Sequence, residues 1–484
     1  MNMNRQIRAL GIAMVVLFAA LFAQLNYIQV LKADDLANNP GNNRLAVRDF
    51  SSPRGEIRTA DGVVIARSVP VDTPFERLRE YPEGALFAHI TGYFSFTYGS
   101  DGVERTYGAE LSGRSGDVRL RQLGNVLADE PQGANVTLTV SKAVQEAAAG
   151  ALGERKGAVV ALDPRSGAVL ALQSFPTYDP NPLSAHDQKA VQAEWQRLST
   201  SAEKPMLPRT YRERYAPGST FKVVTAAAAL ERAPELVTKN YPVTERLDLP
   251  QTDQDLPNFG GGRCGGPLSE LLRVSCNTGF AQLAIDMGAA DLAAEAVDFG
   301  FGAVPPLDLT AVARSFFPEA SAFARDIPAL AKSAIGQQDV TATPLQMALV
   351  AAAVGNGGTA MKPKVMSEVR DGQGRLIRSV KAEPWREVMS PQNAAALRDM
   401  MVGVVTSGSG TRAAIPGVAV AAKTGTAQTT GDNAHAWMIA FAPAEAPTVA
   451  VAVVVESQDG VSEATGGRVA APIVQAVLRA ALAR

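Results

Sequence analysis

The run Tyr215-Ala216-Pro217-Gly218-Ser219-Thr220-Phe221-Lys222 leads into residues 223–230, a stretch of small or apolar side chains without glycine or proline. Such a stretch predicts a helix starting at Ser219, with Pro217-Gly218 as the turn before it. A spacing of three then puts the Ser219 hydroxyl and the Lys222 amine on one face, one turn apart. Serine is a poor nucleophile until a neighbouring base takes its proton, and lysine is a base only where burial or a nearby cation suppresses its charge. The helix N-terminus adds positive potential where an oxyanion would form. A Ser-x-x-Lys pair is weak evidence alone, since Ser201-Ala202-Glu203-Lys204 has the same spacing. Pro205 and Pro208 follow that second copy, so no helix holds it in register and it is set aside.

Two further motifs are unique in the chain: Ser275-Cys276-Asn277 as Ser-x-Asn and Lys423-Thr424-Gly425 as Lys-Thr-Gly. Their surroundings set the fold class. Residues 158–162 and 168–172 are apolar strands joined by Asp163-Pro164-Arg165-Ser166-Gly167, which reads as a buried hairpin. Residues 176–214 form a long irregular segment, and such segments in compact domains are commonly functional. Residues 267–288 and 344–354 read as helices, with Ser275-Cys276-Asn277 at an interhelical position. Residues 421–430, 436–442 and 448–456 read as three strands, and 467–483 as a closing helix. Strands, then helices, then strands and a helix predict an α/β (α+β) domain: one antiparallel sheet, drawn from distant parts of the chain and flanked by helices.

Composition narrows the function. Lys+Arg 46 against Asp+Glu 48 leaves a net charge of −2 without long runs of one sign, so no nucleic-acid footprint is present. His89, His186 and His435 lie far apart, and Cys264 and Cys276 are the only cysteines. No metal and no cofactor is therefore expected. The histidines read as surface or packing residues, His435 being the one beside the Lys-Thr-Gly strand.

The N-terminus departs from the globular average. Between Ala9 and Leu25 the only polar side chain is Gln24, and extension to Leu31 gives a span of roughly 35 Å. A cleavable signal peptide would need small residues at the cleavage site, but Leu21-Phe22-Ala23 and Phe18-Ala19-Ala20 begin with bulky ones. The expectation is an uncleaved, single-pass membrane anchor over 9–31. Arg5 and Arg8 put residues 1–8 in the cytoplasm and the remainder outside. Residues 32–154, with turn-rich stretches at 38–43 and 51–55, read as a smaller β-rich pedestal. It ends in a strand at 136–140 and a helix at 143–152 capped by Ser141. Residues 155–484 form the catalytic domain.

With Ser219-Thr220-Phe221-Lys222, Ser275-Cys276-Asn277 and Lys423-Thr424-Gly425 in that order, the chain resembles the penicillin-binding proteins, the serine D,D-transpeptidases of cell-wall synthesis. The resemblance runs from Gly157 to the C-terminus and includes Gly336-Gln337 and Thr343-Pro344-Leu345-Gln346. Arg54-Gly55-Glu56-Ile57 and Gly102-Val103-Glu104 are similar to the pedestal motifs of the class B subgroup. Within it, the short pedestal and Tyr81-Pro82 through Phe94 are most similar to the actinobacterial A type. Gln338 departs from the family pattern, which commonly has glycine there.

The resemblance implies the penicillin-binding protein/β-lactamase-like transpeptidase fold and a set of roles. Ser219 would attack the penultimate D-Ala carbonyl of a stem peptide, with Lys222 taking its proton. Ser275 would pass a proton to the leaving D-Ala, and Asn277 would hold the substrate amide and the lysine. Lys423 would set the local field, Thr424 and Thr426 would bind the terminal carboxylate, and Gly425 would let the substrate lie against the strand edge. Backbone N–H groups of Ser219 and Thr426 would form the oxyanion hole. β-Lactams would acylate the same serine. The implied partner is a membrane glycan polymerase of the shape, elongation and division type. A serine β-lactamase or D,D-carboxypeptidase shares this acylation machinery, and a non-catalytic β-lactam sensor or division scaffold would share the fold. Cys264 and Cys276 either form a disulfide, which a loop of this size would make worth about 3 kcal/mol, or are two buried thiols.

Overall fold

The computed structural model describes residues 3–28, 32, 50–118, 133–428, 434–457 and 465–484. Two compact units divide the chain: Met1–Ser52 with Pro70–Leu78, and Pro53–Val69 with Arg79–Arg484. In the first unit, α1 (Met3–Asn26) is exposed from Gln6 onward, and its stretch Gln6–Asn26 is long and apolar enough to cross a membrane. The helix thus starts ahead of the expected span at residue 9, and residues 29–31 lie outside those described, as does the turn-rich stretch 38–43. Phe50 meets Phe75 edge to face at 5.2 Å in the same unit.

The second unit begins with β1 (Ile57–Arg58), β2 (Val64–Pro70), β3 (Asn135–Leu138) and α2 (Lys142–Leu152), followed by β4 (Gly157–Leu162) and β5 (Val169–Phe175). A helix at Gln188–Ser199 interrupts the segment 176–214 expected to be irregular, and the later helices include α3 (Lys222–Arg232), α4 (Leu268–Val274), α5 (Asn277–Met287) and α6 (Pro344–Gly355). Then follow β6 (Met366–Arg370), α7 (Pro391–Ser407), β7 (Ala421–Gln428), β8 (Ala434–Ala442), β9 (Val449–Val455) and α8 (Ala471–Leu482).

One antiparallel sheet of order β7-β8-β9-β4-β5 is the frame of the catalytic part. Its inner strands β4 and β9 are buried at every position, which is why they read as continuous apolar runs rather than alternating ones. Successive side chains go to opposite faces. Val159, Ala161, Val451 and Val453 pack with Val144 and Ala148 of α2 and Ile473, Val474 and Val477 of α8. Ala158, Val160, Ala452 and Val454 join the other core with Leu345, Leu349 and Ala353 of α6. Helix α6 is apolar all round except for Gln346 and buried along its length up to Val354. Pro344 stands in its first turn and the Thr343 hydroxyl accepts from Gln346 N. Strand β7 is an edge of this sheet, so one side of it is left for a further strand.

The pedestal is less β-rich than the sequence suggests. Short helices cover Ala88–Thr91, Gly102–Thr106 and Gly108–Leu111. The motif residues Arg54 and Glu104 form a buried ion pair at 2.6 Å, and Arg79 binds the other Glu104 oxygen at 2.6 Å. Burial would raise the Glu104 carboxyl, but the two guanidiniums outweigh it and hold the group below the ordinary carboxylate range. Strand β1 pairs antiparallel with β2 and parallel with β3. Strand β3 in turn pairs with β6, which lies far beyond the expected boundary at residue 154. The sequence alone singled out no strand at 366–370, and only long-range pairing places this segment in the sheet.

Two elements differ from the expected outlines near the site. The helix expected over 267–288 is two helices, because Ser275 takes left-handed backbone angles (φ 61, ψ 43) and Cys276 is extended. The strand expected over 421–430 is described as far as Gln428, and 429–430 lie outside the described residues.

Candidate active site

Ser219 lies in a single 3₁₀ turn, Gly218–Phe221, that runs directly into α3 at Lys222. The turn is wedged between two segments. Gly218 has φ 53, its N–H donates to Gly336 O at 2.9 Å, and a Cβ on it would meet Thr426 O of β7 at 2.7 Å. Gly336, with φ 72, has no room either, since its Cβ would stand 2.1 Å from Gly218 O. These contacts set the Ser219 turn against the edge strand and explain the glycines at both positions.

Lys222 and Lys423 are fully buried, although they come from α3 and β7, two hundred positions apart. They converge on the Ser275–Asn277 break between α4 and α5. Lys222 Nζ donates to Ser275 O at 2.8 Å and to Asn277 Oδ1 at 2.7 Å, and lies 3.4 Å from Ser275 Oγ. Lys423 Nζ donates to Ser275 Oγ at 2.7 Å and to Thr424 O at 2.9 Å. The left-handed backbone of Ser275 is what turns both its carbonyl and its hydroxyl toward lysines. Burial first, and then the neighbouring Lys423 charge, push the Lys222 amine well below the ordinary lysine range. Burial alone brings Lys423 down to about 7. Lys222 makes no hydrogen bond to Ser219 Oγ here, its amine being engaged by Ser275 and Asn277.

Hydrogen bonds join Lys222, Ser275, Asn277 and Lys423, and Gly218 sets the Ser219 turn against Thr426 of β7, while Ser201 and Lys204 sit apart in an irregular turn with Lys204 at φ 49. Thr424 is nearly buried, and its hydroxyl meets Ser409 Oγ at 2.6 Å. Gly425 is also closely surrounded by the protein itself. A Cβ there would meet Thr220 Cγ2 at 2.9 Å, Trp437 Cβ at 3.0 Å and Pro217 O at 3.1 Å. Its missing side chain permits the strand to approach the Ser219 turn.

Cys264 and Cys276 form a disulfide, which ties strand Cys264–Gly266 to the middle of the Ser275–Asn277 break. His435 pairs with Ala427 across β7 and β8 and accepts from Ser457 N at Nδ1, 3.0 Å. Burial lowers its pKa, so the neutral ring is favoured. Among the described residues no group of His, Cys, Asp and Glu is arranged to hold a metal ion.

Three contributors escaped the sequence reading. Ser409 follows α7 and reaches Thr424 only through tertiary packing. Glu456, just past β9, accepts from Arg209 Nε at 2.9 Å and Tyr215 OH at 2.8 Å, anchoring the approach to Ser219. Asn258 binds the start of α5. Each is one polar residue in a turn or strand end, without any local pattern to distinguish it.

Comparison with known proteins agrees with this geometry. A family model described as the penicillin binding protein transpeptidase domain matches residues 157–479, and one described as the penicillin binding protein A dimerisation domain matches 54–136. The chain is 42% identical to peptidoglycan D,D-transpeptidase PbpA of Mycolicibacterium smegmatis, with 99% of both chains covered. It is 40% identical to the protein of the same name from Mycobacterium tuberculosis, again with 99% of both covered. The structure of penicillin-binding protein A from M. tuberculosis as a ceftriaxone acyl-enzyme complex matches with a TM-score of 0.84 and 39% identity, over 90% of this chain and 100% of that one. Three motifs gathered around two buried lysines, together with these end-to-end likenesses, make the chain a class B member of the penicillin-binding protein transpeptidase family.

Proposed function

We propose that the chain is a peptidoglycan D,D-transpeptidase that cross-links stem peptides through an acyl-enzyme on Ser219, and that β-lactams acylate the same serine. The observation that carries this reading is the convergence of Lys222 Nζ and Lys423 Nζ on Ser275 Oγ, at 3.4 and 2.7 Å, beside Asn277.

A neutral Lys222 amine has two N–H bonds and one lone pair. Ser275 O and Asn277 Oδ1 take the two N–H bonds, which leaves the lone pair for the Ser219 proton. Ser219 Oγ then bonds to the penultimate D-Ala carbonyl carbon, and the oxyanion is held by the Ser219 and Thr426 N–H groups. As the C–N bond breaks, the proton passes from Lys222 through Ser275 Oγ to the departing D-Ala amine. In the second half an acceptor amine attacks the ester, its proton goes to Lys222, and Ser219 leaves reprotonated. Lys423 supplies positive charge for the terminal carboxylate, which Thr424 and Thr426 bind by their hydroxyls. The free edge of β7 suits a stem peptide lying as an added strand.

Helix α1 serves in this reading as a single-pass anchor that leaves the catalytic part outside the cell membrane. The partner is a membrane glycan polymerase of the shape, elongation and division type, supplying the strands whose peptides are joined.

The test is labelling of the full-length protein by a fluorescent penicillin, with a donor pentapeptide and an acceptor amine assayed in parallel. Wild type labels, releases D-Ala and forms the cross-linked product, and Ser219→Ala does none of these. Rapid loss of the label without cross-linked product would make the chain a hydrolase. Full complementation of a deletion strain by Ser219→Ala would make it a scaffold.

A further inference from the structure

The excursion from Tyr241 to Gly266 contains none of the three motifs, yet it reaches the Ser275–Asn277 break through three residues, Cys264, Asn258 and Pro257. Cys264 does so by the disulfide to Cys276. Asn258 does so by its side chain, which is buried with all four hydrogen-bonding positions filled. Its Oδ1 accepts from Asn277 N and Thr278 N, both at 3.0 Å, and its Nδ2 donates to Thr244 O at 2.8 Å and Gly262 O at 3.0 Å. A flipped amide would set its NH2 against two N–H groups and its oxygen against two carbonyls, so the network fixes the orientation. The preceding Pro257 O accepts from Asn277 Nδ2 at 3.1 Å.

A helix begins with N–H groups that lack partners, and the residue just before it usually supplies an acceptor. At α5 that residue is Cys276, whose sulfur is committed to the disulfide and which provides no side-chain cap. Asn258 supplies the acceptor instead, from a segment eighteen positions upstream. It thereby holds the backbone of the residue whose Oδ1 meets Lys222 Nζ at 2.7 Å.

We infer that Asn258 is a positioning residue for Asn277: with Pro257 it sets the backbone and the amide of Asn277 so that Oδ1 faces Lys222. The inference rests on the transpeptidase reading of the site. It separates two functions of one side chain, since Oδ1 positions Asn277 while Nδ2 binds the excursion to itself.

The experiment compares Asn258→Ala and Asn258→Asp with wild type in the full-length protein, measuring penicillin binding (K), the acylation rate constant (k2) and Tm. Asn258→Asp keeps both acceptors and loses both donors; Asn258→Ala loses all four contacts. The expected result is a fall in k2 of about tenfold or more for Asn258→Ala, with K little changed. Asn258→Asp should recover k2 to within about threefold of wild type while its Tm stays below wild type. A wild-type k2 in Asn258→Ala, or a k2 in Asn258→Asp as low as in Asn258→Ala, overturns the inference. If Asn258→Ala does not fold, Asn258→Asp against wild type decides alone, and a k2 reduced tenfold or more overturns the inference. A wild type that takes no label refutes the transpeptidase reading and the inference with it, whereas a labelled wild type isolates the inference.

Discussion

Replacing the two cysteines tests how much of the site is held by the covalent tether. The bond joins residues 12 positions apart, and closing a loop of that size in the unfolded chain is worth about 3 kcal/mol in the chain-entropy model. At about 2 °C per kcal/mol for a large domain, the Cys264→Ala/Cys276→Ala variant should unfold about 6 °C below wild type. Because either cysteine alone breaks the bridge, each single variant should lose nearly the whole amount, and the double variant little more. The acylation rate should fall in parallel by a few fold, since Ser275 and Asn277 flank Cys276 and hold both lysines. The assay is thermal unfolding of wild type, two singles and the double, each with and without reductant, beside penicillin labelling rates. Reductant should bring wild type to the double variant and leave the double unchanged. Singles whose losses add up to that of the double, or a double variant as stable as wild type, would refute the argument.

The pH dependence of acylation should show two depressed lysines. In the proposed mechanism Lys222 must be neutral to accept the Ser219 proton and Lys423 charged to attract a carboxylate, so the second-order rate in the free enzyme should rise with pH through the Lys222 pKa. It then declines above about 7, where Lys423 loses its proton; a profile still rising to the ordinary lysine range would contradict this. His89 donates to Pro205 O at 2.8 Å, and burial lowers its pKa from 6.5 to about 4. The unfolded chain therefore takes up the proton first, and stability should fall by about 3 kcal/mol as pH drops from 6.5 to 4. His89→Gln should flatten that slope in chemical denaturation, and an equal slope in both proteins would exclude His89 as its source. Gln338 is exposed at φ 61. Removing that left-handed strain in Gln338→Gly should stabilise by up to about 1 kcal/mol, read as a raised unfolding midpoint, and a lowered midpoint would show that its side chain contributes something the backbone does not reveal.

The motif residues were legible because each lies in a short pattern whose local geometry the chain itself sets. Ser219 and Lys222 share one turn at a helix start, Lys423, Thr424 and Gly425 lie on one strand, and Ser275 to Asn277 fall between apolar helices. The buried strands β4 and β9 were legible for the same reason, since an unbroken apolar run needs cover on both faces. The break at Ser275 was only partly legible. Residues 267–288 are apolar enough to continue as helix, and a disulfide, an amide from Asn258 and two buried amines together stabilise the interruption.

The sequence by itself determined the candidate nucleophile and base, the order of the three motifs and the apolar helix at the N-terminus, because these depend on contacts within a few residues. Tertiary structure alone decided that β6 joins the pedestal sheet, that Gly425 makes room for the Ser219 turn, and that Asn258, Ser409 and Glu456 support the motif residues. A single hydrogen bond or close approach between distant segments leaves no periodic trace along the chain. It comes into being only when burial has brought the partners together and removed the water that would otherwise satisfy them.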